Sequence, residues 1–284
     1  ESTLTVLAAC GDGNPFTGTA TTPPTTPGAA VSIPANIQSD VASFTYDPGT
    51  GTLTVNGLTA DADALNGTYV RKPALDRPGY VAYAIQGSPT ERHVTAFVQQ
   101  YDNARAGIFV SGGQFGTYFG GGLYARDGAY DPGTGVVQYG GNYIGLTNVP
   151  GDSGDLLPPP AGTPAGLLPR QAGEVTGTIL ITADFTDSAV EGRVTNRVFA
   201  DTGVALEDID LDAAAIQANG SFSGSVSRNN ITRGNFGGIF GGTDSRVIAG
   251  SLFAQDHINA FTDEEEHGLF VLIQCTPGAS PPCP

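Results

Sequence analysis

The residues able to do chemistry in this chain are few and badly spaced for it. The three histidines, His93, His257 and His267, form neither a His-x-His nor a His-x-x-x-His pair, so no metal or haem ligand set is legible, and each reads as a surface or strand-end residue. Asp263-Glu264-Glu265-Glu266 offers hard oxygen donors but lacks the alternating spacing of a cation loop, and it reads as a solvated acidic turn. Glu207, Asp208, Asp210 and Asp212 invite comparison with paired glycosidase carboxylates. The exposed face of a strand accounts for them equally well. Ser111-Gly112-Gly113 and Gly120-Gly121-Gly122 lack the lysine or following helix that phosphate binding needs. With no Gly-x-Ser-x-Gly elbow and no Cys-x-x-Cys, nothing forms a catalytic constellation, and the chain is expected not to be an enzyme.

Recognition is the remaining chemistry. Aromatic residues crowd beside glycines between 101 and 143, and Phe115, Tyr118, Phe119, Tyr124 and Tyr143 are the candidate contact residues for a partner. Alternate strand positions filling a core would give the same pattern. Acidic residues number 28 against 12 basic ones, a formal charge of −16 without any basic cluster. Nucleic acids and anionic membrane surfaces are therefore poor partners.

Strands must position these residues. With 41 Gly, 20 Pro and charged residues at only 14 %, the composition favours strands and turns. Strands are expected at 41–46, 52–55, 68–71, 80–85, 93–101, 107–110, 114–118, 139–146, 177–185, 190–198, 206–211, 221–227 and 268–273. A short helix is expected at 212–218. In 234–254, Phe236, Gly238 and Phe240 alternate toward a turn at 241–244, and Val247, Ala249, Ser251 and Phe253 alternate on the return. Rings spaced by glycines suit the strongly curved wall of a small closed barrel. Tyr-Asp-Pro-Gly-Thr-Gly occurs twice, at 46–51 and 130–135, and each copy is expected to be a hairpin turn.

The Pro-rich and Gly-rich stretch 151–170 marks a boundary, or else a long surface loop. The expected class is all-β: a smaller β-rich handle at 40–150, a linker at 151–170, and an eight-stranded antiparallel up-and-down barrel at 171–275. Before them, 10–39 is a Thr/Pro/Gly segment that reads as a flexible tether. After them, Cys275 and Cys283 enclose a short loop, and a disulfide there would close the tail at 276–284.

Two resemblances add to this. Leu7-Ala8-Ala9-Cys10 resembles the lipobox of bacterial lipoproteins, which implies that 1–9 is a signal-peptide remnant and Cys10 a lipidated residue. Thr182-Ala183-Asp184-Phe185, Val190-Glu191-Gly192-Arg193, Asn219-Gly220-Ser221-Phe222, Gly237-Gly238-Ile239-Phe240-Gly241-Gly242 with Ile248-Ala249-Gly250, and His267-Gly268-Leu269-Phe270 resemble the C-terminal barrel of transferrin-binding protein B-like surface lipoproteins. Tyr139 to Gly145 resembles the handle strand of the same family. The family's glutamate-rich step is here Asp244-Ser245-Arg246-Val247-Ile248, so the shared pattern specifies a barrel wall rather than a binding surface. The resemblance implies a lipid-anchored bacterial outer-membrane protein at the cell surface, binding a protein partner or an iron- or haem-related ligand through loops. It brings no cofactor except haem as a ligand to test, and it suggests a TonB-dependent transporter as a further partner. An adhesin or structural envelope component without a role in iron acquisition is the rival reading. A surface hydrolase using the 207–212 carboxylates is a third.

Overall fold

A computed structural model describes residues 31–58, 64–276 and 283. Cys10, the signal remnant and most of the expected tether lie outside the described residues. Sixteen strands, one four-residue α-helix, α1 (Ala35–Gln38), and three single-turn 3-10 helices at Pro73–Leu75, Ala165–Leu167 and Thr243–Ser245 make up the regular structure of the described residues. The all-β expectation holds.

The first sheet is an antiparallel meander of seven neighbours in chain order: β1 (Val41–Asp47), β2 (Thr52–Gly57), β3 (Gly67–Arg71), β4 (Val81–Ile85), β5 (Val94–Tyr101), β6 (Ala104–Ser111) and β7 (Gly120–Arg126). It curls until its ends approach, and Asp40 N donates to Gly120 O at 3.0 Å. Its inner face encloses Leu53, Val55, Tyr83, Val98 and Phe109, all buried.

The second sheet closes on itself. β8 (Val136–Pro150), β9 (Ala172–Asp184), β10 (Ala189–Phe199), β12 (Ile209–Ala215), β13 (Ser221–Arg228), β14 (Ile231–Gly241), β15 (Val247–Gln255) and β16 (Glu265–Gln274) pair in that order, and β16 returns to β8. The two-residue β11 (Val204–Ala205) only extends the end of β10. This is the expected eight-stranded antiparallel barrel. Its first strand is 136–150, which the sequence reading counts with the handle; that strand is hydrogen bonded on both sides inside the barrel.

Rings over glycines fill the barrel. A Cβ on Gly250 would lie 2.3 Å from Phe270, and one on Gly238 would lie 2.5 Å from Phe222. Phe236 and Phe240 line the interior as expected, but Ile248, Leu252 and Ala254 join them from β15. Val247 and Ala249 face outward instead, packing with Ile239 and Leu269 against Phe97, Ala106, Ile108 and Tyr124 of the first sheet. The two sheets thus share a third core, outside the barrel and behind the handle.

That contact explains the strand missed at 120–126 and the strand wrongly placed at 114–118. A Cβ on Gly122 would lie 2.1 Å from Ser251 Oγ, and one on Gly120 would lie 2.9 Å from the His267 ring. The glycines of β7 are there because two sheets meet at backbone distance. Residues 114–117 are a tight turn. The expected helix at 212–218 is partly the edge-to-edge strand β12, because pairing with β10 and β13 overrides local alanine propensity. Of the two Tyr-Asp-Pro-Gly-Thr-Gly copies, only 46–51 joins paired strands; the second links β7 to β8 across the two sheets.

Cys275 and Cys283 form the expected disulfide, with Cα atoms 5.5 Å apart.

Gly250→Ala should destabilise the fold by about 1–3 kcal/mol, because its methyl must displace Phe270. Gly166→Ala, at a site with nothing within 4 Å of the added Cβ, should leave the urea midpoint within about 0.5 kcal/mol of wild type.

Candidate functional site

The residues between β6 and β7 form an exposed turn held by several hydrogen bonds. Gln114 N donates to Thr117 O and Thr117 N to Gln114 O, both at 3.0 Å, so the loop is a two-residue hairpin turn centred on Phe115 and Gly116. Their φ values are 55° and 71°. Positive φ at both corners is the type I′ pattern that Asn-Gly usually occupies. A phenylalanine there is strained by roughly 1 kcal/mol or more, and its side chain is 65 % exposed.

Two side chains hold the turn. Arg92 donates from Nη1 to Thr117 O at 2.8 Å and from Nη2 to Gln114 O at 3.0 Å. Its guanidinium also covers the Phe119 ring, 4.9 Å from the centroid. Gln114 Nε2 donates to Thr90 O at 2.8 Å and to Leu167 O at 2.7 Å. The turn therefore cannot relax its Phe115 corner without breaking hydrogen bonds to two other segments.

One of those segments is 151–170, which lies as a strap across the handle. Asp155 accepts from Lys72 Nζ at 2.8 Å and lies 2.9 Å from His93 Nε2, and its own N–H donates to Gln171 Oε1 at 2.9 Å. Lys72 is the only lysine of the chain. At the far end of the strap, Arg170 N donates to Gly113 O at 3.0 Å. Gly112 makes that approach possible, since a Cβ there would lie 2.1 Å from Arg170 O. Between turn and strap is a cleft of about 420 Å³, lined by Phe115, Tyr118, Asn148, Leu168, Arg170 and the loop glycines. A second depression of about 490 Å³ lies on the other side of Phe115, against Ile85, Gln86 and Arg92.

The other four candidate aromatics are wholly or partly buried, and of them only Tyr118 reaches the wall of the cleft. Tyr143 is inside the barrel and donates its hydroxyl to Glu266 Oε1. Tyr124 is 3 % exposed, its ring lodged over Gly237 between the two sheets. Tyr118 stacks on His267 with centroids 6.5 Å apart, and its hydroxyl is buried. Phe119 is half-buried beneath Arg92. Of the five, only Phe115 stands in solvent. Tyr143 belongs to the barrel interior and Tyr124 to the core between the two sheets, while Tyr118 and Phe119 are partly buried against the cores of the handle side.

The histidines and the acidic run are also corrected by burial. His93, His257 and His267 are each at most 1 % exposed, as are Glu264 and Glu266. Glu266 points into the barrel, where Arg197 Nη2 donates to its Oε2 at 2.5 Å and His257 Nε2 lies 3.0 Å from the same oxygen. Arg197 Nη1 donates to Glu207 O at 2.6 Å. Burial pushes the Glu266 carboxyl up, but Arg197, His257 and Tyr143 outweigh it and hold the group at about 2. Glu264 Oε1 accepts from Ile258 N at 2.5 Å, fixing the loop that plugs this end of the barrel. Burial pushes the His267 imidazole down to about 4 against the pull of Glu266. His93 is lowered too, by burial, with Asp155 opposing. The carboxylates at 207–212 lie on the outside of the barrel: Asp210 pairs with Arg193 at 3.2 Å and Asp212 accepts from Ser227 Oγ at 2.7 Å. Among the described residues no group of His, Cys, Asp and Glu is arranged to hold a metal.

Arg92, Gln114 and Arg170 were not legible as site residues, since a cation that binds carbonyls of a distant turn has no sequence signature. Gln114-Phe115-Gly116-Thr117 could have been found, because glycine at the second corner is what a two-residue hairpin loop needs.

Comparison with protein-family models finds no match, and comparison with curated proteins finds none. Among solved structures, the chain is similar to transferrin-binding protein B of Haemophilus parasuis, with 14 % identity and a TM-score of 0.43 over 78 % of this chain and 42 % of that one. It is similar to the N-lobe of lactoferrin-binding protein B of Moraxella bovis, with 17 % identity and a TM-score of 0.36 over 82 % and 96 %. A third is transferrin-binding protein B of Neisseria meningitidis, with 13 % identity and a TM-score of 0.38 over 78 % and 41 %. The chain spans less than half the length of the transferrin-binding protein B structures it matches.

The burial pattern gives an acid-stability profile with a definite sign. His267 has its folded pKa depressed from 6.5 to about 4, so its contribution is complete above 6.5 and is lost as pH falls toward 4. Glu266, depressed from 4.5 to about 2, loses its contribution in the lower window, from 4.5 toward 2. His267→Gln should reduce the slope in the upper window only, leaving there the part that buried His93 supplies. Glu266→Gln should flatten the lower one and cost about 3–5 kcal/mol at pH 7, because Arg197 is left buried without its partner. Urea titrations from pH 3 to 8 measure both.

Proposed function

We propose that this chain is a binding module rather than an enzyme, and that it holds a protein partner at the end of the handle that carries Phe115. The observation that carries the reading is the turn itself. A phenylalanine is kept at positive φ and in solvent by hydrogen bonds from Arg92 and Gln114, where a polar Asn-Gly turn would close the hairpin at lower cost. Strain retained on an exposed ring contributes nothing to folding, and it suits a preorganised contact that loses little entropy on binding.

The sequence resemblance supplies the setting: a lipoprotein anchored to the bacterial outer membrane through Cys10, facing outward, and engaged with an iron carrier or haem, with a TonB-dependent transporter as the further partner. The solved structures similar to it are named for transferrin and lactoferrin, and these are the first ligands to test. An adhesin with no iron link would use the same turn.

Purified chain lacking residues 1–30 should bind iron-loaded transferrin or lactoferrin in biolayer interferometry. Phe115→Ala should weaken that binding at least tenfold while leaving the melting temperature unchanged. Binding of neither, together with no Soret band on haem addition, would remove the iron reading. Binding indifferent to Phe115→Ala would remove the turn as the contact.

A further inference from the structure

The cleft beside Phe115 also carries information about what its occupant looks like. Nearly all basic side chains of the chain are already engaged. Arg71, Lys72, Arg77, Arg105, Arg193, Arg197, Arg228 and Arg246 pair with carboxylates, and Arg92 and Arg126 are bound to carbonyl oxygens. Among the described residues, only Arg170 and Arg233 hold neither kind of acceptor, and the exposed guanidinium of Arg170 has no partner there. In a chain with 28 acidic residues and 12 basic ones, a free guanidinium is the exception. Its position is fixed from below, because the strap reaches the handle at Gly112 and Gly113 and leaves Arg170 standing over the cleft. No carboxylate lines that cleft. A free cation, an exposed ring and apolar Leu168 therefore face one space whose lining carries no carboxylate, although the charges of Glu265, Asp40 and Glu266 reach Tyr118 in its wall.

We propose that this cleft takes an acidic, apolar segment of the partner protein, with an Asp or Glu carboxylate on the Arg170 guanidinium and a neighbouring aromatic or aliphatic side chain against Phe115. The inference rests on the binding reading above and goes further, to the chemistry of the partner. Guanidinium and carboxylate match as two parallel hydrogen bonds, which fixes orientation as well as charge. The net charge of −16 opposes the approach of an acidic segment, but at physiological ionic strength fields are screened over about 8 Å. The guanidinium in contact decides the outcome, and the distant carboxylates do not.

The test uses random heptapeptides displayed on phage as the probe, panned against the chain, with the selected peptides then synthesised and titrated by fluorescence anisotropy. The expected result is enrichment of Asp or Glu next to Phe, Trp, Leu or Ile. Arg170→Gln should weaken the selected peptide at least tenfold, Arg170→Lys less, and Phe115→Ala at least tenfold. Arg170→Glu should recover binding to the same peptide with its acid replaced by Lys. Selected peptides that depend on Phe115 but carry no acid and ignore Arg170→Gln would overturn the acidic partner and leave the Phe115 turn as a contact. Selection of basic peptides would overturn it as well. No peptide dependent on either residue would overturn both readings. Each variant changes an exposed side chain, and an unchanged melting curve separates lost binding from lost folding.

Discussion

The fold depends on one packing constraint: an eight-stranded barrel of this size has to be filled by large rings, and a large ring fits only where the facing wall has no side chain. Phe270 over Gly250, Phe222 over Gly238 and Tyr143 over Gly268 are instances of one arrangement. Each removes a Cβ from one strand so that a ring from another can occupy the axis. At one end the rings give way to Arg197, Glu266, His257 and Tyr143. A buried ion pair of this kind is weak evidence for stability in itself. It does tie β8, β10 and β16 to the loop before β16, and it closes the barrel end with directional bonds where apolar packing would leave the loop unspecified.

The outer wall obeys a second version of the same rule. Strands β14 to β16 and β8 face the barrel interior on one side and the handle on the other, so β15 is buried at every position but its last. Where the sheets come closest, glycines of β7 replace side chains, and Ser251 and His267 fill the space they leave. A single body results, in which the handle and the barrel share a core. The strap at 151–170 then lies against the handle through Asp155, Lys72 and His93, so a stretch composed like a linker is held at several points.

This double burial also decides what could be read from the sequence. Strands with one solvent face, such as 52–55 and 190–198, alternate and were legible, as were the barrel class and the hairpin at 234–254. Strand β7 was not, because a run of three glycines has no periodicity; its meaning lies in Ser251 and His267, far off in sequence. The polar residues failed for a related reason. Glu264, Glu266, Gly268 and Phe270 follow the period-2 rhythm of an inward face, yet a run of acids reads as solvent-exposed unless its counter-charge is known, and Arg197 is far off in sequence. Glycine neighbours make Tyr124 and Tyr143 read as contact residues, and in the structure those glycines mark close packing.

Phe115 differs from them in its backbone, and that separates recognition from packing in this molecule. Every buried ring here occupies space left by a glycine or a neighbouring ring, and its location lowers the free energy of the fold. Phe115 has a glycine beside it too, but Gly116 has nothing within 4 Å of its missing Cβ, so it serves the turn and clears no space for a ring. The ring stands in solvent, its φ is unfavourable, and the hydrogen bonds from Arg92 and Gln114 hold the turn in place rather than cover the side chain. A residue whose own conformation and exposure both oppose folding, yet which two other segments cooperate to hold, has its compensating interaction outside the chain. The unpaired guanidinium of Arg170 across the cleft has the same character in its charge as Phe115 has in its shape. Both are left unsatisfied on the same side of the same turn.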